Sequence, residues 1–137
     1  VRQCHADQSH RKWARRVAEV YTVYANRADA FAPVREALPK DLKILGMTSA
    51  DDPEPSLWQP FGSRRIEYVC PEDSAQNLKS RGIEYVLLKG QAFGPGHFFP
   101  EPVESWIKSM NGQTIEKFSL NLRAATGPAD WYLVKLN

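Results

Sequence analysis

Hydrophobic positions in the middle of the chain come in short, dense runs. They are Lys43-Ile44-Leu45-Gly46-Met47, Arg65-Ile66-Glu67-Tyr68-Val69-Cys70 and Ile83-Glu84-Tyr85-Val86-Leu87-Leu88. Aliphatic, β-branched and aromatic side chains dominate them, which suits a pleated surface inside a sheet. A long polar loop with two aromatics, Thr48–Gly62, follows the first run. The second and third runs are joined by a helix with clear punctuation. Pro71 stands at its start, Glu72 and Asp73 in its first turn, Lys79 and Arg81 in its last, and Gly82 at the left-handed cap. Each charge lies where the helix dipole favours it. This is βαβ grammar, and so short a crossover predicts right-handed, parallel pairing of the strands that flank it.

Before these runs the apolar period changes to three and four. Trp13, Val17, Val20, Tyr21, Tyr24, Ala28 and Phe31 form one stripe, predicting a long helix from His10 to Ala32. That stripe reads as helix-to-sheet core or as the continuation of a membrane-crossing helix. Pro33 either ends this helix or opens a short second one, Val34–Leu38, which Pro39 closes. Beyond the Gly/Pro loop Gln91–Glu101, Pro102 starts a helix over Val103–Met110 that Asn111-Gly112 terminates. Phe118, Leu120 and Leu122 then alternate with Lys117, Ser119, Asn121 and Arg123, and Trp131–Leu136 returns as a last strand. The expected fold is α/β: a small mixed sheet of three to five strands with a parallel βαβ centre and a C-terminal antiparallel hairpin. The long N-terminal helix, about 10–32, packs on one face of a core spanning about 42–137, with 1–137 forming one domain.

Composition adds little to this. The 137 residues are 42% hydrophobic and 25% charged, ordinary for a globular chain long enough to bury a core. A net charge of +2 gives no nucleic-acid footprint. The charge is uneven, however. Arg2, Arg11, Lys12, Arg15 and Arg16 face only Asp7 in the first 16 residues, which reads as a solvated helix face or as a patch beside a membrane or phosphate. No apolar run approaches the ~20 residues of a membrane span. The chain starts with Val rather than Met, and we expect it to be a piece of a longer protein. Cys4 and Cys70 fit a disulfide in an oxidising compartment or, for Cys70, a free thiol at a strand end.

Candidate chemistry concentrates in the loop after the first strand, because ligands of open α/β sheets gather beyond the carboxyl ends of the strands. Asp51, Asp52 and Glu54 offer carboxylates for a divalent cation or a sugar hydroxyl, or simply solvate a Pro-rich turn. Ser56-Leu57-Trp58-Gln59 reads as a capped helical turn. That turn tucks Trp58 onto the domain, or else Trp58 and Phe61 project at a membrane interface. Arg64 and Arg65 either grip a phosphate or pair with the loop carboxylates. His97 sits in the Gly/Pro loop with no neighbouring Ser, Cys or Asp to make a triad. Gly46 opens no glycine-rich phosphate cradle, so no nucleotide cofactor is expected. Cys4, His5 and His10 match no zinc spacing, so no metal is expected either.

Three segments together carry a family resemblance. They are Pro33-Val34-Arg35-Glu36-Ala37-Leu38-Pro39-Lys40-Asp41-Leu42-Lys43-Ile44-Leu45-Gly46, Ser56-Leu57-Trp58-Gln59-Pro60-Phe61-Gly62-Ser63-Arg64-Arg65 and Asp130-Trp131-Tyr132-Leu133-Val134. From Tyr21 onward the chain resembles the soluble C-terminal domain of bacterial multi-spanning glycosyltransferases of the protein-mannosyltransferase and aminoarabinose-transferase class. The resemblance implies a non-catalytic accessory domain on the extracytoplasmic (periplasmic) face of an inner membrane. Its partner would be the transmembrane portion of the same polypeptide, which takes a sugar from a polyprenyl-phosphate donor. The catalytic acids of that class lie in membrane-portion loops, so no catalytic residue transfers to this sequence. Anionic lipid or the polyprenyl-phosphate sugar would then meet Trp58, Phe61, Arg64 and Arg65. The competing expectation is a free-standing cytosolic α/β ligand-binding or interaction module.

Overall fold

The computed structural model describes residues 15–17, 29–49, 55–90, 102–122 and 127–137. The chain divides into two compact units, Val1–Ala30 and Phe31–Asn137. In the first, residues 15–17 are helical. The second holds a five-stranded mixed sheet: β1 (Ile44–Met47), β2 (Arg65–Tyr68), β3 (Tyr85–Lys89), β4 (Gly112–Leu120) and β5 (Ala129–Leu136), in the order β2-β1-β3-β5-β4. β1 pairs in parallel with both β2 and β3, and β5 runs antiparallel to β3 and β4. The parallel segment and the C-terminal hairpin are therefore as the sequence predicts.

Two expectations need correction. The crossover joins β2 to β3, but these strands do not pair with each other, because β1 lies between them. Leu45 and Met47 of β1 are fully buried, and so apolar a strand suits a position flanked on both edges. The long N-terminal helix is not shown among the described residues. Its predicted stripe at Trp13, Val20, Tyr21, Tyr24 and Ala28 lies outside them, and residues 29–31 form a turn. A separate short helix, α1 (Ala32–Ala37), begins after that turn with Pro33 in its first turn, where a missing N–H costs nothing. Phe31 is thus the N-cap of α1.

The helix between β2 and β3 is also shorter than its punctuation suggests. Pro71 and Glu72 form a turn, and α2 spans Ala75–Ser80 with Ser74 as its N-cap, accepting from the Asn77 N–H at 3.1 Å. Asp73 leaves the helix to accept from the Cys70 N–H at 2.8 Å. It also meets Arg81, which bridges Asp73 (3.2 Å), Glu67 (3.0 Å) and the Tyr68 carbonyl (2.7 Å), tying the crossover to β2. Gly82 takes the left-handed conformation with φ +77°, as a helix-ending glycine does.

The alternation of each strand splits the core in two. Leu45, Met47, Leu87, Trp131 and Leu133 face α1, the 3-10 turn Pro55–Trp58, and Phe118 and Leu120 of β4. Val86, Leu88, Val134 and Leu136 face Leu78 of α2 and Trp106, Ile107 and Met110 of α3 (Val103–Ser109). The result is a sheet covered on both faces, a three-layer α/β arrangement. Gly46 lies against the core cluster beneath α2: a Cβ there would stand 2.8 Å from Val69 Cγ2 and 2.9 Å from Ile83 Cγ2. Gly46→Ala should therefore destabilise the fold by about 1–3 kcal/mol, as overpacking does, despite the smaller chain entropy of alanine. A urea midpoint equal to or above wild type would show that the layers yield freely at this point.

Candidate functional site

Of the predicted site residues, Asp51, Asp52 and His97 lie outside the described residues. The other four sit on one segment, the 3-10 turn and the loop that leads into β2. The turn forms as the sequence implies, but it is anchored from outside. Arg35 of α1 donates from Nη1 to the Ser56 carbonyl at 3.0 Å and to Ser56 Oγ at 2.8 Å. Leu57, at its centre, is fully buried in the α1 side of the core. With Leu57 pointing inward, the chain must turn back outward after it. Ser63 N–H donates to the Pro60 carbonyl at 2.9 Å, and Gly62 takes φ +80°, which closes a tight loop at the surface.

That loop leaves Phe61 at its tip, 85% exposed. Trp58 is half-buried beneath it, edge-on at 6.1 Å between ring centroids. The two aromatics thus form one apolar prominence, with Phe61 projecting and Trp58 as its base. Neither of the sequence alternatives holds for both rings.

The two arginines separate, because adjacent residues of an extended chain point to opposite sides. Arg65 begins β2, stays exposed and pairs with Glu67 at 3.1 Å, while the loop carboxylates Asp51, Asp52 and Glu54 lie outside the described residues. Arg64 turns inward and is only 8% exposed. Its Nη1 donates to the Leu57 carbonyl at 3.4 Å, and its buried Nε has no hydrogen-bond partner. Among the described residues Arg64 has no carboxylate partner. Burial, and next the charge of Arg35, pull its pKa below the usual arginine value. Arginine nonetheless stays protonated, so a cation is held here at an electrostatic cost.

Arg64 lines a cavity of about 470 Å³ together with Arg35, Lys40, Gln59 and Ser63, with Leu38 and Pro60 as apolar wall. Glu36, itself exposed, lines it as well. The volume is within the range of small-molecule sites, and the lining mixes apolar surface with a few convergent polar groups. Arg35 and Lys40 were missed by sequence reasoning. Arg35 lies 21 residues from Ser56, and no local period reports which helix the 3-10 turn will lean on. The Pro-Lys-Asp sequence after α1 reads only as a turn.

Elsewhere the chemistry is modest. At the carboxyl ends of β1 and β3 the Lys89 N–H donates to Thr48 Oγ1 at 3.2 Å, a strand-end tie. No group of His, Cys, Asp and Glu among the described residues is placed to hold a metal ion, and none of their helices is long and apolar enough to cross a membrane. Cys70 is a free thiol, half-buried, and Cys4 lies outside the described residues. Burial first, then the nearby Asp73 and Glu72 carboxylates, raise the Cys70 pKa, with Arg81 opposing. A raised pKa means less thiolate at a given pH. In a Cys4→Ser chain, Cys70 should therefore react with iodoacetamide at pH 8 several-fold more slowly when folded than in denaturant. The folded rate should keep climbing at pH values where the denatured rate has levelled off, and coincident profiles would contradict this.

The chain matches no family model, no curated protein and no solved structure, so the reading of this site rests on its own residues.

Proposed function

We propose that this chain is a non-catalytic accessory domain of a membrane glycosyltransferase that uses a polyprenyl-phosphate sugar donor. Its role is to meet the anionic, lipid-bearing side of that reaction. The observation that carries this reading is the aromatic prominence: Phe61 stands 85% exposed on a Trp58 base, on the same loop as a cavity containing Arg64. An exposed large aromatic has an apolar body to bury, and beside basic groups it suits the headgroup zone of an anionic membrane. The transmembrane portion of the same polypeptide is the expected partner, on the extracytoplasmic side. The family resemblance at 33–46, 56–65 and 130–134 supports the same assignment.

The reading frame upstream of Val1 tests the context. Several apolar stretches of ~20 residues there would agree with it, and a start codon within a few residues of Val1 would end it. Catalytic inertness is tested on the isolated chain with sugar nucleotides, sugars and divalent ions. Turnover by the chain alone would replace the accessory role with an enzymatic one.

A second reading, a free-standing interaction module, draws on the sheet edge. Among the described residues β4 has no strand paired on its outer side, and Ile115, at a register irregularity between Thr114 and Glu116, is 45% exposed. Open edges of this kind accept a partner's strand. Loss of partner binding on Ile115→Lys with vesicle binding unchanged would favour this module.

A further inference from the structure

We propose that the cavity between α1 and the 55–64 segment is a binding site for the phosphate group of an organic phosphate, with Arg64 as its principal ligand. The inference deepens the accessory-domain reading and rests on it only for the source of the phosphate. Arg64 carries the argument. A guanidinium has five N–H donors and no means of shedding its charge under ordinary conditions. Here one donor makes a long contact to Leu57, the buried Nε has no partner, and no carboxylate among the described residues balances the charge. Structural arginines are buried with a carboxylate or with their donors satisfied. Arg81 of this same fold is the internal comparison: it is bound to Glu67, Asp73 and the Tyr68 carbonyl.

The surroundings define the ligand. Arg35 and Lys40 add positive charge to the same cavity, Gln59 adds a neutral amide donor, and Ser63, whose hydroxyl donates to the Trp58 carbonyl at 3.5 Å, adds an acceptor that can turn to donate. A tetrahedral oxyanion accepts from several such directions at once, and arginine binds phosphate through paired, charge-assisted hydrogen bonds. The cavity of about 470 Å³ is larger than the anion alone. The Leu38 and Pro60 wall gives the remaining volume an apolar side, which suits the organic substituent of a phosphate ester. The exposed Glu36 in the same lining disfavours a ligand carrying negative charge beyond that of the phosphate. A soluble phosphate ester and a lipid phosphate share this chemistry, and they are separable by experiment.

Inorganic phosphate is the first probe, added to the 137-residue chain at constant ionic strength while backbone amide resonances are followed. Wild type should show saturable shifts at 57–64 and at 35–38. Arg64→Lys keeps the charge but loses the planar fork, and should weaken binding about tenfold. Arg64→Met should abolish it while raising the thermal midpoint in phosphate-free buffer, because a buried cation with no carboxylate partner among the described residues is removed. If Arg64→Met does not fold, Arg64→Lys decides. No saturable shift in wild type, or equal binding by folded Arg64→Lys, overturns the site.

Vesicles of phosphatidylcholine with and without phosphatidic acid are the second probe. Phosphate binding without vesicle binding retains this site and removes the membrane-facing role. Vesicle binding that Arg64→Met leaves unchanged, with no response to phosphate, removes this site and leaves the aromatic tip as the docking element.

Discussion

Trp131→Ala should lower the unfolding free energy by about 3–5 kcal/mol, equivalent to about 10–20 °C in thermal midpoint. Trp131 lies fully buried in β5, between β3 and β4, where its register partners are Lys89 and Phe118. Its ring meets Phe31 edge-on at 5.3 Å and 86°, and Lys89 Nζ lies 5.5 Å from its centroid. The indole therefore joins three elements: the sheet, the turn that starts α1, and the end of β3. Truncation leaves a cavity that rigid strands cannot close, and it releases Phe31 and with it α1. Trp131→Phe should cost much less. It keeps an aromatic against Phe31 and deletes an indole N–H that has no hydrogen-bond partner in its buried position. Denaturant unfolding of the two variants checks this. Equal, small losses would mean that α1 is not held by this contact.

The second large effect falls on binding rather than stability. Phe61→Ser should weaken association with anionic vesicles about 10- to 100-fold, because burying a phenyl side chain is worth about 1.5–3 kcal/mol. The folded state should not notice, since Phe61 is 85% exposed and its one ring contact is the edge of Trp58. Trp58→Ala should weaken vesicle binding as well, but with some loss of stability, since Trp58 is half-buried at the base. The contrast between the two variants separates the projecting ring from the supporting one. Added salt should weaken the basic contribution and leave the aromatic one, so the ratio between wild type and Phe61→Ser should persist at high ionic strength. A ratio of one at any salt would remove Phe61 from the interface.

Much of the sheet was legible because short-range signals decide it. The run at Ile44–Met47 is a strand in the structure, the run at Ile83–Leu88 contains most of the strand Tyr85–Lys89, and the alternation from Lys117 to Leu122 is reproduced in the burial of Phe118 and Leu120. Gly82 ends its helix in the left-handed region as its position implied. Order within the sheet was not legible, because a crossover helix connects β2 and β3 equally well whether or not a strand lies between them. The capping of α2 was misread for a local reason. Asp73 was placed in the first turn for its charge, whereas its carboxylate closes the turn at Cys70 and meets Arg81, leaving Ser74 as the cap.

The site was half legible. Its loop and four of its residues, Trp58, Phe61, Arg64 and Arg65, were singled out by chemistry, yet which of them faces in and which out depends on Leu57. Once that side chain enters the core, Phe61 is forced to the surface and Arg64 to the interior, and Arg65 takes the other side of the strand. Arg35 was invisible for the complementary reason: its role comes from packing across 21 residues of sequence.

The most direct test of the central claim is to locate the membrane-facing surface by paramagnetic broadening. Lipid nanodiscs bearing a headgroup spin label, with and without polyprenyl phosphate, would be added to the isotope-labelled 137-residue chain. The account predicts broadening centred on Trp58–Ser63, stronger when polyprenyl phosphate is present and lost on Phe61→Ser. Broadening that is absent from this loop, or that centres on the outer edge of β4 instead, would contradict it.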